Sequence, residues 1–278
     1  MNKLVLQTDF GTSDGAVSAM YGVAISVNAN LSIFDLTHDI PTFNIWEASY
    51  RLQQTVSYWP EETVFVSVVD PGVGSDRLSA VVKTEANQYI VTPDNGTLTH
   101  IKHHIGIKEV RKIDETINRL PKSGESYTFH GRDVYAYTGA RLASKVITFE
   151  QVGPVLKVED IVELPRPVAY TEANTIYGNI DILDIRFGNL WTNISRTICE
   201  EVSMKYGELM EVTIMHHDKE VYKGGMIFGR SFSDSRLGEP VVYVNSLDNL
   251  AVAINQGSFA ETYQIETGLN WMIRIRKT

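Results

Sequence analysis

Cysteine is almost absent from this sequence. Cys199 stands alone among 278 residues, which excludes a disulfide framework and any Cys-rich zinc module. Basic side chains are also in short supply: 25 Lys and Arg face 34 Asp and Glu, a formal charge of −9 at pH 7. Nucleic acid and anionic membrane surfaces both demand clustered cations, so neither is expected as the main partner. A cationic or zwitterionic small molecule suits the balance. Long apolar runs are missing, and nothing approaches the ~20 residues that cross a bilayer. Met1-Asn2-Lys3 leads straight into Leu4-Val5-Leu6, but Asp9 follows too soon for the apolar core of a signal peptide. Cytoplasmic residence is the expectation. Internal repeats and low-complexity tracts are lacking as well.

What is present is the composition of an ordinary globular protein, 43% apolar and 21% charged. The chain is long enough for one large or two medium domains, with a core that needs no disulfide or metal staple. The first half alternates strand and helix patterns. Lys3–Gln7 reads as a strand, followed by a helix to about Val27 capped by Ser13 or Asp14, with Val17, Met20, Tyr21 and Ala24 at helical spacing. Leu31–Leu36 reads as a strand, Ile45–Trp59 as a helix and Thr63–Val69 as a buried strand ending at Asp70-Pro71-Gly72. Leu78–Lys83 and Gln88–Val91 read as an antiparallel pair, Asp94-Asn95-Gly96 as the start of a helix, and Arg132–Lys145 as the last helix. Such alternation predicts a three-layer α/β domain over residues 1–160.

Leu164-Pro165-Arg166-Pro167 lacks backbone donors and resists helix, as a linker would. Beyond it, short β-rich runs at Thr175–Ile185, Leu209–Met215, Val241–Val244, Leu250–Ile254, Gln264–Ile265 and Trp271–Ile275 are separated by turn residues. They predict a smaller all-β, barrel-like domain over residues 168–278.

Four constellations stand out. Thr8–Asp14 follows the first strand, at the carboxyl end where α/β sheets bind ligands; Asp9 there could accept both hydroxyls of a ribose, although Asp, Ser and Thr equally favour caps and turns. No G-x-G-x-x-G accompanies it, so it is not a dinucleotide fingerprint. Asp70-Pro71-Gly72-Val73-Gly74-Ser75-Asp76-Arg77 is a loop of defined shape able to hold Asp70 and Arg77 near one point. Phe129-His130-Gly131-Arg132-Asp133 sets a histidine before a helix, with Gly131 admitting a ligand to the backbone; Arg132 and Asp133 read as a cap and salt bridge. Asp184-Ile185-Arg186-Phe187-Gly188-Asn189-Leu190-Trp191 joins an acid, an amide suited to an adenine edge, and the stacking faces of Phe187 and Trp191, or is a strand with a Gly-Asn turn. Two histidine groups, His100 with Lys102, His103 and His104 on a polar helix end and His216-His217-Asp218 in a hairpin turn, lack metal spacing with a third ligand. No metal site is expected.

Together, in this order, these segments resemble the S-adenosyl-L-methionine (SAM) hydroxide adenosyltransferase family, adenosine-forming SAM hydrolases related to the fluorinase and chlorinase. The resemblance runs through Thr8-Asp9-Phe10-Gly11, Val69–Gly74 with Arg77, Pro93-Asp94-Asn95-Gly96, Phe129–Asp133, Asp184 with Phe187-Gly188-Asn189, and Asn245-Ser246, which is essentially the whole chain. It implies an N-terminal α/β domain, a C-terminal β-barrel, and a homotrimer with SAM held where the N-terminal domain of one subunit meets the C-terminal domain of its neighbour. It implies a water-activating trio of Asp70, Arg77 and His130, and a ribose-binding acid at Asp9. The methionine part would meet Asp184 and Ser246. The adenine would meet Asn189 and backbone groups around Ile254–Gln256. Asp14, Gly131, Phe187 and Trp191 complete the expected substrate contacts. Phe43 stands where the fluorinase has a tryptophan, and Leu247 where it has an arginine on the methionine carboxylate. The halogenases carry a tyrosine at the position of Asp70, and the fluorinase a serine at that of Gly131, so water rather than halide is the expected nucleophile.

The implied reaction is in-line attack of water on the ribose C5′, giving adenosine and methionine with no cofactor. A neutral imidazole can take a proton near its ordinary pKa of ~6.5, a guanidinium can stabilise developing hydroxide, and the carboxylate can orient either of them or the water. Two rivals are a non-catalytic SAM or nucleoside sensor, which needs Asp9, Phe187 and Asn189 but not the trio, and a halide-using adenosyl transferase.

Overall fold

In a computed structural model describing residues 3–278, the chain divides between Leu164 and Pro165 into two compact units. Met1 and Asn2, on which the reading of the N-terminus partly rests, lie outside the described residues.

The first unit contains strands β1 (Lys3–Thr8), β2 (Ser32–Thr37), β3 (Val64–Val68), β4 (Ser79–Thr84), β5 (Tyr89–Pro93), β6 (Ile107–Lys112) and β7 (Val155–Leu156), with helices α1 (Ala16–Val27), α2 (Ile45–Val56), α3 (Thr99–His104) and α4 (Tyr137–Ala143). The strands form one sheet in the order β2-β1-β3-β5-β4-β6-β7. β1 runs parallel to β2 and β3, and β3 parallel to β5, while β4 is antiparallel to β5 and β6. Successive residues of β1 point to opposite faces. Leu4 and Leu6 join Met20 and Ala24 of α1 and Ala140 and Leu142 of α4 in one core, while Val5 joins Leu52 of α2, Leu98 at the cap of α3 and Ile101 within it in another. Both faces of the sheet are therefore covered, as the near-continuous apolar strands require. β1 and β3 are neighbours whose connecting helices lie on opposite faces, and such a reversal opens a crevice at the carboxyl ends of the strands.

Several local expectations change. The cap of α1 falls on Gly15, although the Asp14 carboxylate still accepts the Ala16 N–H at 2.9 Å. α2 stops at Val56 rather than Trp59. The Arg132 helix begins as a π-helical turn over Gly131–Ala136 before continuing as α4. His100 is buried, its ring 2.9 Å from the Ser49 hydroxyl, because α3 turns that side inward against α2. β6 and β7 carry too little alternation to stand out in the sequence; β6 is recruited by the edge of β4, and β7 by the edge of β6.

The second unit contains β8 (Tyr170–Glu172), β9 (Thr175–Asp184), β10 (Asn189–Ser195), α5 (Arg196–Glu201), β11 (Leu209–His216), β12 (Lys219–Phe228), β13 (Pro240–Val244), β14 (Asn249–Ile254), α6 (Phe259–Tyr263) and β15 (Trp271–Lys277). Seven strands run β10-β14-β13-β12-β11-β15-β9 and close through pairing of β9 with β10, with β8 appended to β9. Closure removes the open edges that antiparallel sheets otherwise expose. Ile176, Ile180, Val212, Ile214, Val252 and Ile273 fill the interior. Gln264–Ile265, expected as a strand, is instead the end of α6, where Gln264 adopts the left-handed conformation. His217 and Asp218 form the two-residue hairpin turn between β11 and β12. No described helix is long and apolar enough to cross a membrane.

Candidate active site

The first unit carries a cavity of about 240 Å³ at the carboxyl ends of β1 and β3, walled by Asp9, Phe10, Phe43, Asp70, His130 and Gly131 among others. Its construction is local. Thr8 lies opposite Val68 in the parallel register, so Asp9 and Asp70 emerge side by side just past the strand ends. The Asp9 loop is pinned from behind: the Phe10 N–H donates to the Thr8 hydroxyl and the Gly11 N–H to the His38 carbonyl. The Thr8 hydroxyl also bonds the His38 ring at 2.8 Å, and that ring bonds Asp35 at 2.9 Å. The Asp9 carboxylate accepts the Phe43 N–H at 2.8 Å, which leaves lone pairs free for a vicinal diol. Phe43 is 66% exposed and left-handed at φ 68, a conformation that costs a bulky residue and collects at ligand sites.

Asp70 is held in turn. Asn95 of the Pro93-Asp94-Asn95-Gly96 segment donates to the Val69 carbonyl, and the Val73 N–H closes a turn on the Asp70 carbonyl. Arg77 Nε donates to Asp70 Oδ1 at 2.7 Å, and Nη2 bonds Oδ2, a bidentate pair with side chains 11% and 5% exposed. The same Nη2 lies 3.2 Å from His130 Nδ1, and Nη1 donates to Ser79. The trio foreseen in the sequence therefore converges, although 53 residues separate Arg77 from His130. Asp70 and His130 face the cavity; Arg77 sits behind them and ties both in place. Burial pushes the His130 imidazole below its ordinary value; Arg77 and Arg119 act in the same direction, while Glu115 and Asp70 oppose it. Gly131 packs so closely that a Cβ there would meet the Phe10 ring at 3.1 Å.

The second unit carries a larger cavity, of about 880 Å³, walled by Asp184, Phe187, Asn189, Trp191, Ser246 and Ile254 among others. Asn189 and Trp191 share one face of β10, and β10 pairs with β14 so that Trp191 lies opposite Ala251. The Trp191 indole donates to the Tyr243 hydroxyl at 3.3 Å, fixing both rings. The Asn189 amide donates to Asp184 at 3.4 Å. Ile254 lies opposite Pro240 and Leu250 opposite Val244, so Ile254 and Ser246 mark opposite ends of β13. β13 itself spans about 13 Å from Pro240 to Val244, and Ser246 lies two residues beyond its end.

Every foreseen site residue lines one of these cavities except Arg77, which lies behind the first, and Asp14, which is occupied as a helix-start acceptor outside both. The sequence reading missed Phe129 and Phe10, whose rings meet edge-on at 5.8 Å in the first wall, though both flank residues it singled out. It also missed Tyr243 and Arg230 in the second. No local pattern marks Arg230; only barrel closure brings it there. Among the described residues no group of three or more His, Cys, Asp or Glu is placed to hold a metal ion.

The family model for the SAM hydroxide adenosyltransferase N-terminal domain matches residues 4–153, and that for its C-terminal domain matches residues 178–272. The (R)-S-adenosyl-L-methionine hydrolase of Methanocaldococcus jannaschii is 37% identical over 218 residues, 77% of this chain and 73% of that protein. The fluorinase of Actinopolyspora mzabensis is 26% identical, over 96% of this chain and 95% of that protein. A crystal structure of an uncharacterized conserved protein from Thermotoga maritima superposes with a TM-score of 0.88 at 32% identity, covering 99% of this chain and all of that one.

Proposed function

The chain belongs to the SAM hydroxide adenosyltransferase family, and from that premise we propose that it hydrolyses SAM to adenosine and methionine. The observation that carries this reading is the Asp70–Arg77–His130 cluster, of which Asp70 and His130 wall the same cavity as Asp9. A binding protein for the same ligand would need Asp9 but not this cluster.

Water attacks the ribose C5′ as the C5′–S bond breaks. Sulfur keeps the electron pair and departs as the neutral thioether of methionine, and the attacking water gives up one proton. The leaving group needs no acid, so neither metal nor redox cofactor is required; the difficulty lies in the nucleophile. Asp70 and His130 supply polar groups at the cavity wall to fix one water in line with the sulfonium, and such fixation can lower a barrier by up to ~7–11 kcal/mol. The proton passes to one of these two groups. Arg77 acts as a positioning residue: its fork holds the Asp70 carboxylate bidentately and the imidazole at its edge. The carboxylate of Asp70 also argues against a halide as nucleophile, since an anion there meets like charge. The Phe10 ring occupies the space that a side chain at position 131 would need.

In this reading Asp9 binds the ribose diol, Asn189 and the backbone at Ile254–Gln256 the adenine, and Asp184 and Ser246 the methionine. The two sets lie in different units, and we assign them to one SAM through a homotrimer in which each site draws on two copies, in the cytoplasm. Purified protein incubated with SAM in ¹⁸O-labelled water, with and without chelator, tests the reaction. Adenosine carrying one ¹⁸O at its 5′-hydroxyl, in equal amount with methionine, is expected. Because the Methanocaldococcus relative is named for the R sulfonium epimer, each epimer is offered separately. Bound but unchanged SAM would leave a sensor, and turnover only with chloride would leave a halogenase.

A further inference from the structure

Arg119 has no place in the chemistry above, yet both of its terminal nitrogens are anchored, while its Nε is buried without a partner among the described residues. Its Nη1 pairs with Glu115 at 2.8 Å, its Nη2 donates to the Ser126 carbonyl at 2.7 Å, and its guanidinium lies 4.9 Å from the centre of the Tyr127 ring. From that anchorage Nη1 reaches within 3.5 Å of His130 Nε2, while Arg77 Nη2 stands 3.2 Å from Nδ1. The His130 ring, 5% exposed, is thus bracketed by guanidinium groups at both nitrogens. We infer that Arg119, held by Glu115, is a positioning residue that fixes the His130 ring from the side opposite Arg77.

The reasoning is one of donors and acceptors. An imidazolium has two N–H groups and nothing to offer a guanidinium. Protonated His130 would be a third cation between two others and would release Arg77 from its edge. A neutral ring has one lone pair. Whichever nitrogen bears it accepts from the guanidinium beside it, at 3.2 Å for Nδ1 or 3.5 Å for Nε2. The groups facing the ring set a balance: Arg77 and Arg119 oppose its protonation, Asp70 and Glu115 favour it, and burial opposes it. The Tyr127 ring, 6.3 Å away at a steep angle, adds no charge. Glu115 also accepts from the Ser79 hydroxyl, which contacts Arg77 and Tyr135, so it meets Arg119 directly and Arg77 through Ser79.

This assignment rests on the hydrolase reading for its kinetic consequence but not for its titration. The experiment follows His130 in the ligand-free full-length protein by NMR with ¹⁵N-labelled histidine, using His130→Gln to assign its signals, and follows the pH profile of adenosine release in parallel. Arg119→Gln should raise the titration midpoint of His130 by on the order of one pH unit. Glu115→Gln should lower it, and Arg119→Lys should keep the charge and stay near wild type. The acid limb of turnover should move with the midpoint, upward in pH for Arg119→Gln and downward for Glu115→Gln. Shifts of opposite sign are a signature that loosened packing does not produce. Unmoved midpoints, or midpoints moving the same way in Arg119→Gln and Glu115→Gln, overturn the assignment. If one glutamine variant fails to fold, the sign in the other and Arg119→Lys decide. A wild type that titrates as described but releases no adenosine would refute the hydrolase reading and leave the bracket standing.

Discussion

Asp9, Asp70 and His130 wall the same cavity but should fail differently when removed. In the proposed reading Asp9 offers its oxygens to the ribose diol. Asp9→Ala should weaken SAM binding by on the order of 1–3 kcal/mol by leaving two hydroxyls unpaired, measurable by calorimetry on a turnover-deficient background; an unchanged dissociation constant would reject the ribose role. Asp70→Asn and His130→Ala should instead lower turnover ~10²–10⁴-fold with SAM binding largely kept, and single-turnover kinetics would separate the two effects. His130 also makes a statement about stability. Its pKa in the fold lies below the ordinary 6.5. Between 6.5 and that lower value the unfolded chain binds a proton that the folded chain does not. Stability therefore rises with pH through this window and falls as pH is lowered through it. Urea midpoints at pH 7.5 and 5.5 should show a smaller loss in His130→Gln than in wild type.

The elements place these side chains through two close approaches. Gly139 lets α4 lie against β3; a Cβ there would come within 2.4 Å of Val66 Cγ2. Alanine would favour the helix by up to ~1 kcal/mol, but Val66 is fully buried in a packed core and cannot yield cheaply. Gly139→Ala should therefore destabilise the protein by about 1–3 kcal/mol net, read from urea unfolding, and a stabilised variant would show that α4 can slide. The π-helical turn at Gly131–Ala136 is the second device. It sits directly after His130 and widens the helix start beside the cavity, and such turns are rare and frequently found at functional sites. Arg132 and Asp133 pair there at 2.7 Å, with Asp133 fully buried, which fits their reading as scaffold.

For the molecule as a whole, the shared-site proposal predicts complementation. Asp70→Asn and Asn189→Ala should each be nearly inactive alone. After equal co-refolding, roughly a quarter of sites would combine an intact first unit with an intact second unit from different copies, if each site draws on two subunits at random. Light scattering should report a trimer, with activity recovered to about that fraction. No recovery above the sum of the separate variants would mean that each chain completes its own site.

The sequence by itself determined the class of both units. Strand and helix periods alternate before Pro165 and give way to short β runs after it, and period follows from local stereochemistry. It also marked Asp9, Asp70, Arg77, His130 and Asn189, because acids, amides and glycines clustered at strand ends carry their own signal. Where it failed, the deciding force was non-local. β6 exists because β4 has an edge to satisfy and β7 because β6 then has one, and Gln264 ends a helix because α6 packs on the barrel. Burial of His100, and the placing of Arg77 behind rather than in the cavity, follow from which faces the sheet and helices turn inward. Arg119 is the clearest case: an ordinary charge in the sequence, 11 residues from His130, it meets that ring only because the loop between them folds back. Hydrophobic period is written residue by residue; the meeting of two guanidinium groups on one imidazole is decided only when distant segments close on the same point.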